Sequence, residues 1–473
     1  MKSEKMDMAK VLAILAQPKQ TPPPLEHVTR IRLEIPYITK DARVDTRAVR
    51  AVLPEDAVKP MPLVYVPHYE MGEDSLELRD YLAEGWAVAC PDAFNDTYNA
   101  HLTDDDMVFN NAALHTLRKR PEFDCDRIVL VGGSAGAYMA GMLTGLQLGI
   151  CATIANGMPA NVYFNFYKYF TQTQARNLQV LEQLSKGGAL PQPEPEPGQG
   201  ALGILSAVEK LPVPFLAALY GIFSPINKNL PPVNENLPDK EDVRRWTMLS
   251  PLGLADCFSS PLMENHCTSD VLVPVDQISR DYTYEAPGES LPADFDYRLH
   301  DTYPGLLKYT LAERLPAAQT VVRCIPVPEH AGEEDLPFDA DKQFNINIFD
   351  DGPVEGYGTH SSRMDVGRRH DVPYLRKMME RTAKQTCWLT PGMLRSMIVR
   401  YQGKSVTLPA HIGVDDAVYG SLAVYREEIR QELHHWVENH GAEAVNSVAA
   451  QVLRETPEAE RSEYQSTLTQ MLA

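Results

Sequence analysis

Apolar and polar residues alternate from residue 30 to 35, with Ile31, Leu33 and Ile35 on one face and Arg30, Arg32 and Glu34 on the other. That period of two predicts an edge or meander strand. Residues 49–53 offer a second strand and 63–66 a third, more buried one. The period then begins to switch. Residues 75–84 predict a helix, 86–92 a strand, and 107–120 a helix leading into the apolar, mostly β-branched run 128–131. A run with no polar face fits a strand buried on both sides of a parallel sheet. Behind it Ala137, Met139, Ala140, Met142 and Leu143 predict a buried helix, and residues 150–157 another buried strand. Strands alternating with helices in this way define an α/β chain with a mainly parallel sheet.

After residue 160 the pattern leaves the sheet for roughly 90 residues. Residues 161–170 are crowded with aromatics (Tyr163, Phe164, Phe166, Tyr167, Tyr169 and Phe170), 191–200 alternate Pro and Glu in a low-complexity stretch, and 212–226 are strongly apolar. The core resumes at 250–277, with a strand over 261–266. A second excursion, 282–319, precedes a strand at 320–325, and residues 344–349 alternate cleanly enough to suit a late edge strand. From about residue 366 the tail reads as helical. Leu422, Tyr425, Ile429, Leu433, Trp436 and Val437 keep helical spacing up to a stop at Gly441, and Val445, Val448 and Val452 continue on a second helix. Such a stripe is a packing face, against the core or against a second subunit in a homo-oligomer. At the other end, residues 1–24 read as a short helix and a Pro-rich linker. No internal repeat is visible.

Composition narrows the class. Of the 473 residues 44% are hydrophobic and 23% charged, ordinary values for a soluble globular protein. A net charge of -20 with no basic cluster disfavours nucleic acid and anionic membrane surfaces as partners. No apolar run reaches the length of a transmembrane helix. Lys2, Glu4, Lys5 and Asp7 before a short apolar patch do not make a signal peptide. Seven scattered cysteines form no disulfide framework, so a cytoplasmic location is expected.

The candidate chemistry lies at Gly132-Gly133-Ser134-Ala135-Gly136. A bare G-x-S-x-G arises by chance in about one chain in six of this length. Its place between a buried strand and a small-residue helix is far more selective. A serine on so sharp a turn needs small neighbours two residues to either side, and it stands over a helix start that favours negative charge. Over residues 45–160 and 245–365 the chain resembles the α/β-hydrolase fold, within it the esterase and prolyl-oligopeptidase-like branch. The resemblance implies a core at 25–160 and 245–365, a lid or cap insertion at 161–244, and a C-terminal helical extension at 366–473 outside the shared fold.

In that fold a catalytic triad follows the chain order serine, acid, histidine. With Ser134 as nucleophile, Asp270 occupies the acid position just after a strand. Its segment Ser269-Asp270-Val271-Leu272-Val273-Pro274 is similar to the acid segment of prolyl-oligopeptidase-like hydrolases. Asp256 precedes the strand and Asp276 lies in the next helix, so both are weaker rivals. His360, on a glycine-rich connection after the last strand, is the candidate base; His330, after strand 320–325, competes, and His370 sits in an Arg-Arg-His cluster that reads as solvated. Two N–H donors must hold the oxyanion. Ala135 supplies one; Tyr69 is the choice for the other, through its backbone N–H with its hydroxyl assisting. Esterases often carry His-Gly-Gly where this chain has His68-Tyr69-Glu70, and His68 reads as a structural loop residue. His434, His435 and His440 make no H-E-x-x-H, no G-K-[ST] follows a Gly-rich loop, and Gly132 to Gly136 does not extend to G-x-G-x-x-G, so no metal or cofactor is expected. The expected activity is acyl-enzyme hydrolysis of a carboxylic ester with an apolar portion. A peptidase or amidase is the alternative, though only about 60 residues precede the core, too few for that family's β-propeller. A non-catalytic binding protein of the same fold is a third reading.

Overall fold

The computed structural model describes residues 22–38, 43–68, 71–92, 104–147, 149–161, 250–268, 270, 273, 275–279, 310–326, 338–350, 364–403 and 422–473. Two long strands, β1 (Val28–Ile38) and β2 (Val44–Pro54), pair antiparallel from Val28 opposite Pro54 to Ile38 opposite Val44. Both outrun the stretches expected from periodicity. The first three residues of β2 are exposed on both faces, so no hydrophobic pattern marks them. The chain continues through β3 (Met61–Tyr65), α1 (Leu76–Ala83), β4 (Ala87–Pro91), α2 (Asp104–Arg118), β5 (Phe123–Gly133), α3 (Ala135–Leu146) and β6 (Ala152–Asn156). Then follow β7 (Leu262–Cys267), β8 (Thr320–Pro326) and β9 (Phe344–Asp350).

These strands form one sheet in the order β1-β2-β4-β3-β5-β6-β7-β9-β8, parallel from β4 onward. The antiparallel hairpin at one side, the crossover that places β4 outside β3, and the parallel run flanked by helices are the α/β-hydrolase fold. Its centre is apolar on both faces, since Leu63, Val64, Ile128, Val129 and Leu130 are all fully buried. At ~1.5–3 kcal/mol for each fully buried aliphatic side chain, this central block is the main source of stability. On one face α2 and α3 cover Leu63, Ile128 and Leu130; on the other α1 covers Val64, Val88 and Val129. Gly145 lets α3 lie close to the turn at Pro251–Cys257, because a Cβ there would sit 2.7 Å from Leu254 Cβ.

One strand is not where its pattern suggested. The segment 344–349 reads as an edge strand, yet β9 lies between β7 and β8, and β8 forms the edge. The alternating asparagines are the cause. Asn345 and Asn347 face a buried surface on which each finds hydrogen bonds, so their polarity signals an internal network rather than solvent.

The C-terminal helices cover two surfaces. Tyr374, Leu375 and Met378 of α4 (Met364–Met379) pack on Val129, Ile154 and Met263 of the sheet. The following turn is pinned there as well: Thr386 Oγ1 donates to the Cys151 carbonyl at 2.8 Å and Cys387 Sγ to that of Ile150 at 3.0 Å. Helices α5 (Pro391–Tyr401), α6 (Leu422–His440), α7 (Ala442–Glu455) and α8 (Glu458–Leu472) gather a separate cluster around Leu394, Leu433, Trp436, Val452 and Met471. The Ile429, Leu433, Trp436 stripe thus packs within the chain; the side chains of Leu422 and Tyr425 lie outside the described residues. So do the expected lid at 161–244, apart from Asn161, and residues 1–21 of the expected N-terminal helix and linker. Among the described residues no helix is long and apolar enough to cross a membrane.

Buried at the last turn of α2, His115 has its imidazole pushed from about 6.5 down to about 4, by burial first and then by Lys119 and Arg118. Its folded pKa lies below its unfolded one, so between these values the unfolded chain binds the extra proton. Stability is therefore full above about pH 6.5 and declines as pH falls toward 4. Melting temperatures recorded at pH 6.5, 5.5 and 4.5 are expected to fall, and His115→Gln to flatten that fall; identical slopes for both proteins would contradict it.

Candidate active site

β5 ends in Gly133, and α3 begins at Ala135. Ser134 alone joins them, at φ 54 and ψ -120. A non-glycine residue held there stores backbone strain on the order of 1–3 kcal/mol. The surroundings enforce it. Ser134 N donates to the Asn156 carbonyl at 2.8 Å, and the Ser134 carbonyl accepts from Tyr138 N at 3.0 Å as the first turn of α3. A Cβ at Gly132 would collide with the Gly136 carbonyl and lie 2.7 Å from Ala137 N, so the backbone approach beside the serine requires glycine at 132. Strand, strained serine and helix have the backbone geometry of a nucleophile elbow. The serine is half-buried, and Ala135, the first residue of the helix, is buried. Its N–H is one of those left unbonded at a helix start, where negative charge is favoured.

Asp270 follows β7, the second strand over from β5, so the two strand ends stand about 10 Å apart. That gap fits one imidazole with a hydrogen bond at either side. The Asp270 side chain is buried, and its Oδ1 accepts from Val273 N, three residues on, at 2.8 Å. Its rivals differ in setting. Asp256 is exposed, and Asp276 falls within the turn Val275–Gln277.

His360, His330 and Tyr69 lie outside the described residues, as does the side chain of His370. The strands that lead to the two candidate bases are described. β9, ten residues before His360, is the direct neighbour of β7; β8, which precedes His330, is one strand farther out. His68, next to Tyr69 in the loop after β3, is half-buried, and desolvation lowers its imidazole to about 4, with Asp106 opposing weakly. It is neutral at pH 7 and a weak base there. Below this loop the Tyr65 hydroxyl donates to Asn110 Oδ1 at 2.6 Å, Asn110 donates to the Asp106 carbonyl, and Arg47 pairs with the Asp106 carboxylate.

Sequence reasoning passed over two features. Asn156, Asn265 and Asn347 stand opposite one another on β6, β7 and β9, and join side chain to side chain at 2.8 and 3.0 Å. On the other face of β7, Glu264 and His266 pair at 2.9 Å with no exposure of either side chain. The signal was available, because Glu, Asn and His within a strand buried on both faces demand partners.

No protein-family model matches the chain, and no curated protein matches it. Solved structures give distant likenesses. The acylaminoacyl peptidase of Pyrococcus horikoshii is 15% identical, with a TM-score of 0.39 over 75% of this chain and 41% of that one. A puromycin hydrolase is 16% identical, with a TM-score of 0.31 over 54% and 32%. A putative dipeptidyl aminopeptidase IV from Bacteroides ovatus is 11% identical, with a TM-score of 0.38 over 74% and 36%. The chain spans less than half the length of each.

The strain at Ser134 is testable without a substrate. Ser134→Gly is expected to raise stability by about 1–2 kcal/mol in denaturant unfolding, because glycine adopts positive φ without cost. Gly132→Ala, which sets a methyl against backbone, is expected to lower it by at least as much.

Proposed function

We propose that the chain is a serine hydrolase that works through an acyl-enzyme, with Ser134 as nucleophile, His360 as base and Asp270 as its orienting acid. The backbone conformation of Ser134 carries this reading. A strained serine at a strand-to-helix junction is costly, and the cost is explained if the hydroxyl must stand clear of the sheet at a helix start.

In this reading Ser134 Oγ attacks the substrate carbonyl carbon while its proton passes to His360 Nε2. The carbonyl oxygen takes the negative charge and is held by the N–H groups of Ala135 and Tyr69. Collapse of the tetrahedral species expels the leaving group, which takes the proton from His360. Water then repeats the sequence on the acyl-enzyme and restores the serine. Asp270 Oδ1 accepts from Val273 N, which anchors the carboxylate that receives the imidazole N–H. The position of β9 beside β7 supports His360 over His330.

A carboxylic ester with an apolar acyl or alcohol portion is the proposed substrate, on the strength of the aromatic-rich segments at 161–170 and 212–226. A short peptide or amide suits the acid segment equally well. No two of the seven cysteines are joined in a disulfide, and Cys125 and Cys324 are exposed, which supports a reducing compartment, the cytoplasm.

Labelling by a fluorophosphonate probe tests the nucleophile. Wild type is expected to label and Ser134→Ala to remain blank. His360→Ala should slow labelling by about 10³-fold or more, with His330→Ala within a few-fold of wild type. Folded wild type that takes no label would favour the non-catalytic binding protein. Once labelling is established, matched ester and amide substrates decide between the two hydrolytic readings.

A further inference from the structure

β7 runs Leu-Met-Glu-Asn-His-Cys, and Glu264 and His266 fall on the same face, two residues apart. Both side chains are wholly buried. Burying a carboxyl and an imidazole side by side is costly unless each is bonded, and here the bonds run toward the Asp270 turn. His266 Nε2 lies 2.6 Å from the Val273 carbonyl oxygen. A carbonyl only accepts, so Nε2 carries a proton and donates. His266 Nδ1 lies 2.9 Å from Glu264 Oε1, which also accepts from Met158 N at 3.0 Å. Burial pushes the Glu264 carboxyl up. The imidazole is lowered by its own burial, but the hydrogen bond and charge of Glu264 outweigh that and leave it raised. The pair holds its shared proton between Nδ1 and Oε1, and the ring keeps its donor on Val273 throughout.

Val273 is the other half of the turn. Its carbonyl is held by His266 and its N–H by Asp270 Oδ1. Met158, where the bonded chain begins, lies two residues beyond Asn156, whose carbonyl holds the Ser134 N–H. An unbroken set of short bonds therefore links the segment beside the elbow to the carboxylate. We propose that His266, backed by Glu264, is a positioning residue that fixes the orientation of Asp270 toward the catalytic imidazole. The inference rests on the serine-hydrolase reading and assigns His266 no contact with substrate.

The test uses the full chain and a fluorophosphonate probe, with rate constants for labelling measured from pH 5 to 9. His266→Phe fills the space and loses the donor. Its labelling is expected to slow at least about tenfold, and the acidic limb of its pH profile to move to lower pH, because an imidazole deprived of an oriented carboxylate loses its proton more readily. His266→Gln, which can extend an amide N–H toward Val273, should recover much of both changes. Should the Phe variant not fold, Glu264→Gln, nearly isosteric, serves instead and is expected to shift rate and limb in the same direction. A folded His266→Phe, or Glu264→Gln in its stead, that labels within twofold of wild type at every pH overturns the proposal. Wild type that takes no label, or label retained in Ser134→Ala, overturns the underlying reading instead, and the wild-type and Ser134→Ala controls show which has failed.

Discussion

Gly132 and Gly136 bring two stretches of backbone so close that no side chain fits between them, and the serine at the centre of the turn takes its conformation from that approach. The rest of the molecule can be understood as support for it. β5 must be rigid enough to deliver the turn, so it lies at the middle of the sheet with apolar cover on both faces. α3 must begin at once, so it is built of alanine, glycine and methionine that let it settle deep against its neighbours. Strain persists only where packing over-determines it, and here both flanks are among the most buried parts of the chain.

Toward the carboxyl ends of β6, β7 and β9 the interior changes character. Apolar packing gives way to an asparagine row on one face and a carboxyl–imidazole pair on the other. Buried polar groups that are bonded in series specify one arrangement, because any slip in register leaves several of them without partners at once. The two devices meet at β7, the strand that leads to Asp270. A hydrophobic core would hold these strands together equally well but would tolerate small displacements of the turn beyond them.

Much of the fold was legible because its signals were local. Ile128 to Val131, the glycines around Ser134 and the following small residues each announce an element, and together they announce the elbow. The candidate acid was chosen by position, since Asp270 alone of the three aspartates follows the strand directly, and the structure buries its side chain there. What escaped depends on partners far along the chain. Asn345 and Asn347 look like the wet side of an edge strand until Asn265 and the backbone of Asp339 are placed beside them. Glu264 and His266 look like ordinary polar residues until Val273 and Met158 close around them. Periodicity reports which face is polar; it does not report whether that face meets water or other side chains.

The contact between Thr386 and Cys151 has a consequence for how the chain is made. The two residues are 235 positions apart, and α4 with the turn that follows it closes the sheet face bearing Val129, Ile154 and Met263. At ~5–20 residues per second a ribosome needs roughly 10–50 s to travel from one to the other. For the later part of that interval, once β7 has been made and has paired with β6, the growing chain carries an uncovered apolar sheet surface, and its yield in the cell is tied to whatever shields that surface until the closing helix arrives.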